Sequence, residues 1–358
     1  MSPYDGLPET AFWRTAVQNA NPAEMDGIYV KKFSLQPDWG IATAGSCFAQ
    51  HIARHLTAAG YKVLDFEPAP PGLRGSSAQQ FGYQTYSARY GNIYTTRQFL
   101  QLIEEARGRL KPTDFVWTRD DRFFDAFRPG VEPEGLSSEQ EVVAHRSHHL
   151  ERVRRLFASM NVLIFTMGLT EAWEDQRTGL VYPTAPGTIC GEFDPGRFVF
   201  KNFSFSEIYG DFLRIRRILQ ARNPTLRFLL TVSPVPLTAT ASGDHVLVAT
   251  MRSKAILRAV AGQLVAEFDD VDYFPSFEII NNPAARSGFF LNNLRSVDLK
   301  GVEAVMRCFF AQHHPNSGAG TASPAEAPSH PVDAGPEGEA GDVVCEEMLL
   351  DAFAEKVA

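Results

Sequence analysis

The sequence predicts an α/β fold: a flavodoxin-like three-layer α/β/α sandwich built on a mainly parallel sheet. Two observations predict it. Short apolar segments at 39–44, 61–66, 162–166, 228–232 and 271–274 alternate with stretches whose apolar residues recur at helical spacing. Strands read as near-continuous apolar runs when helices cover both faces of a parallel sheet. The composition allows such a core, with 358 residues of which 44% are hydrophobic and 21% charged. Sheets of this kind bind ligands beyond the C-terminal ends of their strands. The loops at Ser46, Gly168, Ser233 and Ser276 are therefore expected to share one rim.

Taken in order, residues 1–38 carry Pro3, Pro8, Pro22 and Pro37 and read as an irregular N-terminal segment. The first strand, 39–44, runs into Gly45-Ser46. Phe48, Ile52, Leu56 and Ala59 then recur at helical spacing, and Gly60 closes that helix. The second strand, 61–66, is followed by a Pro-, Gly-, Ser- and Gln-rich stretch, 67–94, which reads as a long loop. Thr95 or Thr96 caps a helix to about residue 106. Two aromatic runs, Phe115-Val116-Trp117 and Phe123-Phe124, are split by Arg119-Asp120-Asp121 and predict an inserted hairpin. Ser138 and Glu141 have capping-box spacing and open a helix to about residue 159.

The third strand, 162–166, leads into Met167-Gly168-Leu169-Thr170-Glu171, and residues 172–183 suggest a second hairpin around Gly179. Ser206 is the expected cap of a helix that Asn223-Pro224 ends. The fourth strand, 228–232, is followed by Ser233-Pro234 and by a helix carrying Ile256, Leu257, Val260 and Leu264. After the fifth strand, Asp298 caps a final helix. These elements define a domain over 39–312. Residues 313–343 are dominated by Pro, Gly, Ala, Ser and Glu and read as a disordered linker. Residues 344–358 read as a short amphipathic helix that docks on the domain or on a protein partner.

Charge and cysteine usage narrow the function classes. A formal net charge of -8 without a basic block argues against nucleic acid as a partner. Cys47, Cys190, Cys308 and Cys345 are widely separated, so no metal site of ordinary cysteine spacing is expected. Few cysteines, no apolar run long enough to span a membrane and no signal-type N-terminal core point to a cytoplasmic protein.

The chemistry centres on Ile41-Ala42-Thr43-Ala44-Gly45-Ser46-Cys47-Phe48-Ala49. A strand ending in Gly-Ser lifts the hydroxyl to the sheet rim beside a helix N-terminus, whose backbone N–H groups can hold an oxyanion. Ser46 is then a nucleophile or only the cap of that helix. Cys47 is a rival nucleophile, or a small buried hydrophobe behind Ser46. A serine hydroxyl needs a base. His245, in the loop after the fourth strand, is either that base or the start of the next helix. Glu171 is a second acid-base candidate, or a backbone cap. His51 and His55 stand at i, i+4 spacing without a third ligand for a metal. His145, His148 and His149 belong to a charged helix and read as surface, while His313 and His314 begin the tail. Arg286 and Arg295 either bind an anionic substrate group or form structural salt bridges.

Gly45-Ser46-Cys47-Phe48-Ala49 resembles the signature after which the GSCFA family is named, and that family resembles the SGNH/GDSL esterases and lipases. Four further stretches fall in family order: Gly91-Asn92-Ile93-Tyr94-Thr95, Met167 to Trp173, Thr231-Val232-Ser233-Pro234-Val235 and Tyr273-Phe274-Pro275-Ser276-Phe277-Glu278. The resemblance implies an SGNH-like fold with Ser46 as nucleophile. It also implies an oxyanion hole made of the Ser46 N–H, a glycine N–H (Gly168 or Gly91) and the Asn92 side chain. Asn92 is alternatively a turn residue. The pattern departs from the wider superfamily before the last helix. There the Asp-x-x-His pair is replaced by Gly288-Phe289-Phe290-Leu291-Asn292-Asn293-Leu294-Arg295-Ser296-Val297-Asp298, which holds no histidine. Asp298 is either a relic of that pair or an N-cap. The implied activity is a serine esterase or acyltransferase on an O-acyl ester such as an acylated saccharide, without cofactor or metal. The alternatives are a non-catalytic module binding a carbohydrate or acyl ligand, and an interaction protein recruiting through its tail helix.

Overall fold

The computed structural model describes residues 2–314 and 349–354. In chain order its elements are β1 (Ile41–Gly45), α1 (Phe48–Ala58), α2 (Gly75–Gln80), α3 (Thr96–Ala106), β2 (Val116–Arg119), β3 (Arg122–Asp125), α4 (Glu139–Ser159) and β4 (Val162–Met167). Then follow β5 (Glu171–Asp175), β6 (Val181–Tyr182), β7 (Phe198–Asn202), α5 (Phe205–Gln220), β8 (Arg227–Val232), α6 (Val246–Glu267), β9 (Val271–Tyr273), α7 (Ser276–Ile280) and α8 (Leu299–Gln312). Asp351–Ala354 forms one further helical turn, α9. Residues 315–343 of the expected linker, and 344–348 and 355–358 of the expected tail helix, lie outside the described residues.

The central sheet has the order β1-β4-β8-β9, and every neighbouring pair is parallel. All six residues of β4 are buried, as a central parallel strand requires. Alternate residues feed two cores. Leu163 and Phe165 of β4 pack with α3 to α6 on one face, while Val162 and Ile164 pack with α1 and α8 on the other. This is the three-layer α/β/α sandwich that the alternating pattern predicts. Both hairpins also form. β2 pairs antiparallel with β3, and β5 lies between β6 and β7 in an antiparallel sheet. Trp117, Phe124, Tyr182 and Phe198 close a smaller core between them.

The predicted second strand is reduced to a single parallel bridge between Ile41 and Val63. Loop residues take the edge of β1 instead. The Thr43 N–H donates to Ser87 Oγ at 3.0 Å, the Tyr90 hydroxyl donates to the Thr43 carbonyl, and the Ile93 N–H donates to the Gly45 carbonyl at 2.9 Å. The 67–94 stretch therefore includes α2 and an edge-covering segment that is largely buried. That segment satisfies edge groups which would otherwise be exposed.

Three local expectations are corrected. Ser204, not Ser206, caps α5: its extended backbone lets the hydroxyl accept from the Glu207 N–H, and Glu207 answers with a full capping box. His149 is completely buried, because α4 turns Val142, Arg146, His149 and Val153 onto one inward stripe. His313 is also buried and ends α8: its Nε2 pairs with the Tyr29 hydroxyl at 2.8 Å, and that hydroxyl donates to Asp272 of β9 at 2.9 Å. The N-terminal residues Tyr29, Phe33 and Leu35 thereby join the core against α8. Among the described residues no helix is long and apolar enough to cross a membrane.

Candidate active site

Gly45 ends β1 with φ +135°, and a Cβ there would stand 2.3 Å from the Thr166 carbonyl oxygen on β4. Only glycine can make this turn against the neighbouring strand. The turn delivers Ser46 to the rim and lets α1 begin at once, with Cys47 as a buried N-cap residue. Ser46 is 3% exposed, and its Oγ is buried without a hydrogen-bond partner. An unsatisfied buried hydroxyl costs stability, so its retention calls for an explanation.

Gly168 faces Ser46 from the end of β4. A Cβ on Gly168 would come within 2.9 Å of Ser46 Cβ and 3.1 Å of the Tyr94 carbonyl oxygen. Asn92 lies on the same rim, one residue before the Ile93 N–H that binds the Gly45 carbonyl. Its side-chain oxygen accepts from the Tyr86 hydroxyl, to which Gln50 Nε2 of α1 also donates at 3.2 Å. Its backbone carbonyl accepts from Gln98 Nε2 at 2.9 Å. The Asn92 side chain is thus anchored through its amide oxygen to Tyr86.

The two backbone donors expected for an oxyanion hole are engaged elsewhere. The Ser46 N–H donates to the Thr166 carbonyl at 3.2 Å, and the Gly168 N–H donates to the Tyr94 carbonyl at 3.2 Å. Both bonds lock the Ser46 turn between β4 and the 92–94 segment. They also remove two of the three expected donors from the hole. What stands beside Ser46 for a developing negative charge is the α1 N-terminus.

The acid-base candidates fall into two groups. His245 is exposed and caps α6, where its Nδ1 accepts from the Leu247 N–H at 3.2 Å. Glu171 opens β5 and accepts from the Thr240 hydroxyl at 3.0 Å, while burial pushes its carboxyl above the usual range. Thr240 Oγ1 in turn accepts from the Ser242 hydroxyl at 2.9 Å, so Glu171 is tied to the loop that precedes His245. Neither residue hydrogen-bonds Ser46 Oγ. Asp298 is the N-cap of α8, its Oδ1 accepting from the Lys300 N–H at 2.8 Å. Arg286 is an exposed left-handed residue ending a short turn. Arg295 sits in a turn where its N–H donates to Asn293 Oδ1 at 3.0 Å. Geometry therefore brings Gly168 against Ser46, with Asn92 next to the Ile93 that binds the Gly45 carbonyl, and leaves His245, Glu171 and Asp298 in other hydrogen-bonding roles.

His51 is buried, which pushes its imidazole down to about 4 with help from Arg54 and His55. His55 Nδ1 is bonded to the His51 carbonyl at 2.8 Å, so the pair does not converge as ligands. Among the described residues no group of three or more His, Cys, Asp or Glu could hold a metal ion.

One residue near the rim has no counterpart among the sequence expectations. Lys254 of α6 is 1% exposed, and its Nζ donates to the Gly168 carbonyl at 2.8 Å. The signal was present: Lys254, Leu257, Ala261 and Leu264 share one inward stripe of α6. A lysine on such a stripe is easily read as a solvated helix residue.

A model of the GSCFA family matches residues 40–309. Among solved structures, the chain is similar to a protein described as a GDSL-like lipase from Parabacteroides merdae. That match has 14% identity and a TM-score of 0.31, and covers 79% of this chain and 98% of the other. A carbohydrate esterase family 3 protein from Talaromyces cellulolyticus matches at 14% identity and a TM-score of 0.24, covering 61% of this chain and 88% of the other. No curated protein matches the sequence.

Proposed function

The chain belongs to the GSCFA family, and from that premise we propose that it is a serine esterase or acyltransferase acting on an O-acyl ester, with Ser46 as the nucleophile. The observation that carries this reading is the Ser46 hydroxyl itself. It is buried at the C-terminal end of a parallel strand, unpartnered, and set at the start of α1. A hydroxyl kept there at a cost to stability fits a group awaiting a reaction partner.

In this reading Ser46 Oγ attacks the ester carbonyl. Asn92 Nδ2 and the α1 N-terminus stabilise the oxyanion, and the alcohol leaves. Water or a second hydroxyl then takes the acyl group from Ser46. The leaving alcohol in this reading is a saccharide or another small alcohol. The test is turnover of p-nitrophenyl acetate and butyrate by the wild type and by Ser46→Ala. Equal rates would remove Ser46 from the chemistry. Labelling of the wild type by a fluorophosphonate at Ser46, lost in Ser46→Ala, is the expected result.

A second reading, a non-catalytic module that binds a carbohydrate or acyl ligand, is favoured by one observation. The Ser46 and Gly168 N–H groups both bind protein carbonyls, at 3.2 Å each, so the expected oxyanion hole is only partly formed. Such a module would bind acylated sugars and leave both the ester and the fluorophosphonate untouched.

A further inference from the structure

Lys254 stands in the middle of α6, on the face that α6 presses onto the strand ends. Three contacts fix that face. Ser253 Oγ accepts from the Thr170 N–H at 3.1 Å, Thr250 Oγ1 accepts from the Leu237 N–H at 3.2 Å, and Lys254 Nζ donates to the Gly168 carbonyl at 2.8 Å. The first two hold the helix against the loops after β4 and β8. The third holds the amine against the residue that packs on Ser46, since a Cβ on Gly168 would reach 2.9 Å from Ser46 Cβ. Gly168 thus carries the lysine nitrogen on its carbonyl and packs against Ser46, while Nζ makes no hydrogen bond to Ser46 Oγ.

Packing does not ask for lysine here. The inward positions of α6 that follow it are Leu257, Val260, Ala261 and Leu264, after Ala249, Thr250 and Ser253 before it. A leucine or methionine would fill the same stripe without taking an amine out of water, which is costly. Lysine is, however, the cationic side chain that serves as a general base when removed from solvent, and serine–lysine pairs are a known alternative to serine–histidine. The sequence candidates for a base hold other bonds: His245 caps a helix and Glu171 accepts from Thr240.

We infer that Lys254 is the general base for Ser46; this rests on the reading of Ser46 as nucleophile. In its neutral form Nζ takes the Ser46 hydroxyl proton as the Oγ–carbon bond forms and the carbonyl π pair moves onto oxygen. When the tetrahedral intermediate collapses, the bond to the leaving alkoxide breaks and the Lys254 ammonium returns the proton to it. Water repeats the exchange to release the acid and regenerate Ser46–OH. For this step Nζ turns from the Gly168 carbonyl, where it rests, toward Ser46 Oγ.

Fluorophosphonate labelling tests this without knowledge of the natural substrate, because phosphonylation also needs the Ser46 proton removed. The variants are Lys254→Met, which keeps the stem, and Lys254→Arg, which keeps the charge but cannot take a proton. Each is expected to slow labelling of Ser46 by about 100-fold or more, the size of a general-base contribution. Melting temperatures are compared alongside. Either variant labelling at the wild-type rate overturns Lys254 as the base and leaves the Ser46 reading standing. A wild type that does not label at Ser46 overturns both. Should both variants melt early, Lys254→Ala assayed in propylamine decides. A labelling rate rising with free amine supports the base role, and no rise at any concentration overturns it.

Discussion

Gly168 and Ser46 meet across the ends of adjacent strands with no room for a methyl group between them: a Cβ on Gly168 would stand 2.9 Å from Ser46 Cβ. The other side of Gly168 is closed by the Tyr94 carbonyl oxygen, 3.1 Å from the same point. Gly168→Ala must therefore push either Ser46 or the Tyr94 backbone. Overpacking of this kind costs about 1–3 kcal/mol. A nucleophile displaced by about 1 Å loses on the order of 100-fold in rate. Urea melts and fluorophosphonate labelling of Ser46 should show both losses. Gly210→Ala, in the middle of α5 with nothing within 4 Å, is the control. It should stabilise by about 0.5–1 kcal/mol, as replacement of a helical glycine does, and leave labelling unchanged.

Ser46→Ala should separate stability from chemistry. The wild-type Oγ is buried without a partner, and an unsatisfied buried hydroxyl costs about 1–3 kcal/mol. Removing it leaves a small void in place of that cost. The variant is expected to melt at or slightly above the wild-type temperature while losing p-nitrophenyl acetate turnover. Scanning calorimetry and the ester assay check the two halves. A variant that melts well below the wild type would mean that Ser46 serves the fold.

Legibility in the sequence tracked how local each signal was. Ser46 could be read directly, because an apolar run ending in Gly-Ser before a helical pattern is contiguous. The Gly45 turn, the hairpin of Trp117 with Phe124 and the Asp298 cap were legible for the same reason. The edge of β1 was not, since Ser87, Tyr90 and Ile93 reach it from a loop far along the chain. Lys254 and His149 were hidden by residue type. Both occupy inward stripes of their helices, but a lysine and a histidine weaken the apolar periodicity that marks such stripes. Sequence order likewise could not show that the Ser46 and Gly168 N–H groups bind the Thr166 and Tyr94 carbonyls.

Arg146 is the structural pin of the small hairpin domain edge. Its guanidinium is buried between Glu105 of α3 and Asp125 of β3, bonding Asp125 Oδ2 at 3.0 Å and Glu105 Oε1 at 2.8 Å. Burial would lift the Asp125 carboxyl, but Arg146 and Arg128 outweigh it and hold it below the usual range. Arg146→Met leaves the buried Glu105 carboxylate without its cation and Asp125 with Arg128 alone. Loss of one partner from a buried ion pair costs about 3–5 kcal/mol. The double variant Arg146→Met, Glu105→Gln, which leaves Asp125 paired with Arg128, should recover part of that loss, measured by urea denaturation at pH 7. No recovery would show that the packing of Arg146 on Phe127, 4.7 Å from the ring centre, carries the effect.

Acid should weaken the fold in two steps through Glu67 and His149. Burial drives the His149 imidazole down to about 4, with Arg128 adding to the effect against the pull of Glu67. Burial would raise Glu67, but hydrogen bonds from His149 Nδ1 and the Arg89 N–H, each at 2.7 Å, and the charge of Arg128 hold it down at about 2. For a histidine with a lowered value, the unfolded chain binds the proton first. Stability is therefore present above the ordinary histidine value of about 6.5 and falls as pH drops toward 4. For Glu67 the sign is the same in a lower window: stability is present above about 4.5 and is lost as pH falls toward 2. Each histidine of this kind contributes a slope of up to about 1.4 kcal/mol per pH unit. His51 and His313 are also buried and pushed down to about 4, so they add to the upper step. Urea denaturation at pH 7, 5.5 and 4.5 should show this steep fall, and His149→Asn should flatten it by about one histidine's share. An unchanged slope in that variant would mean that His149 is already protonated in the folded protein, as an ion pair with Glu67.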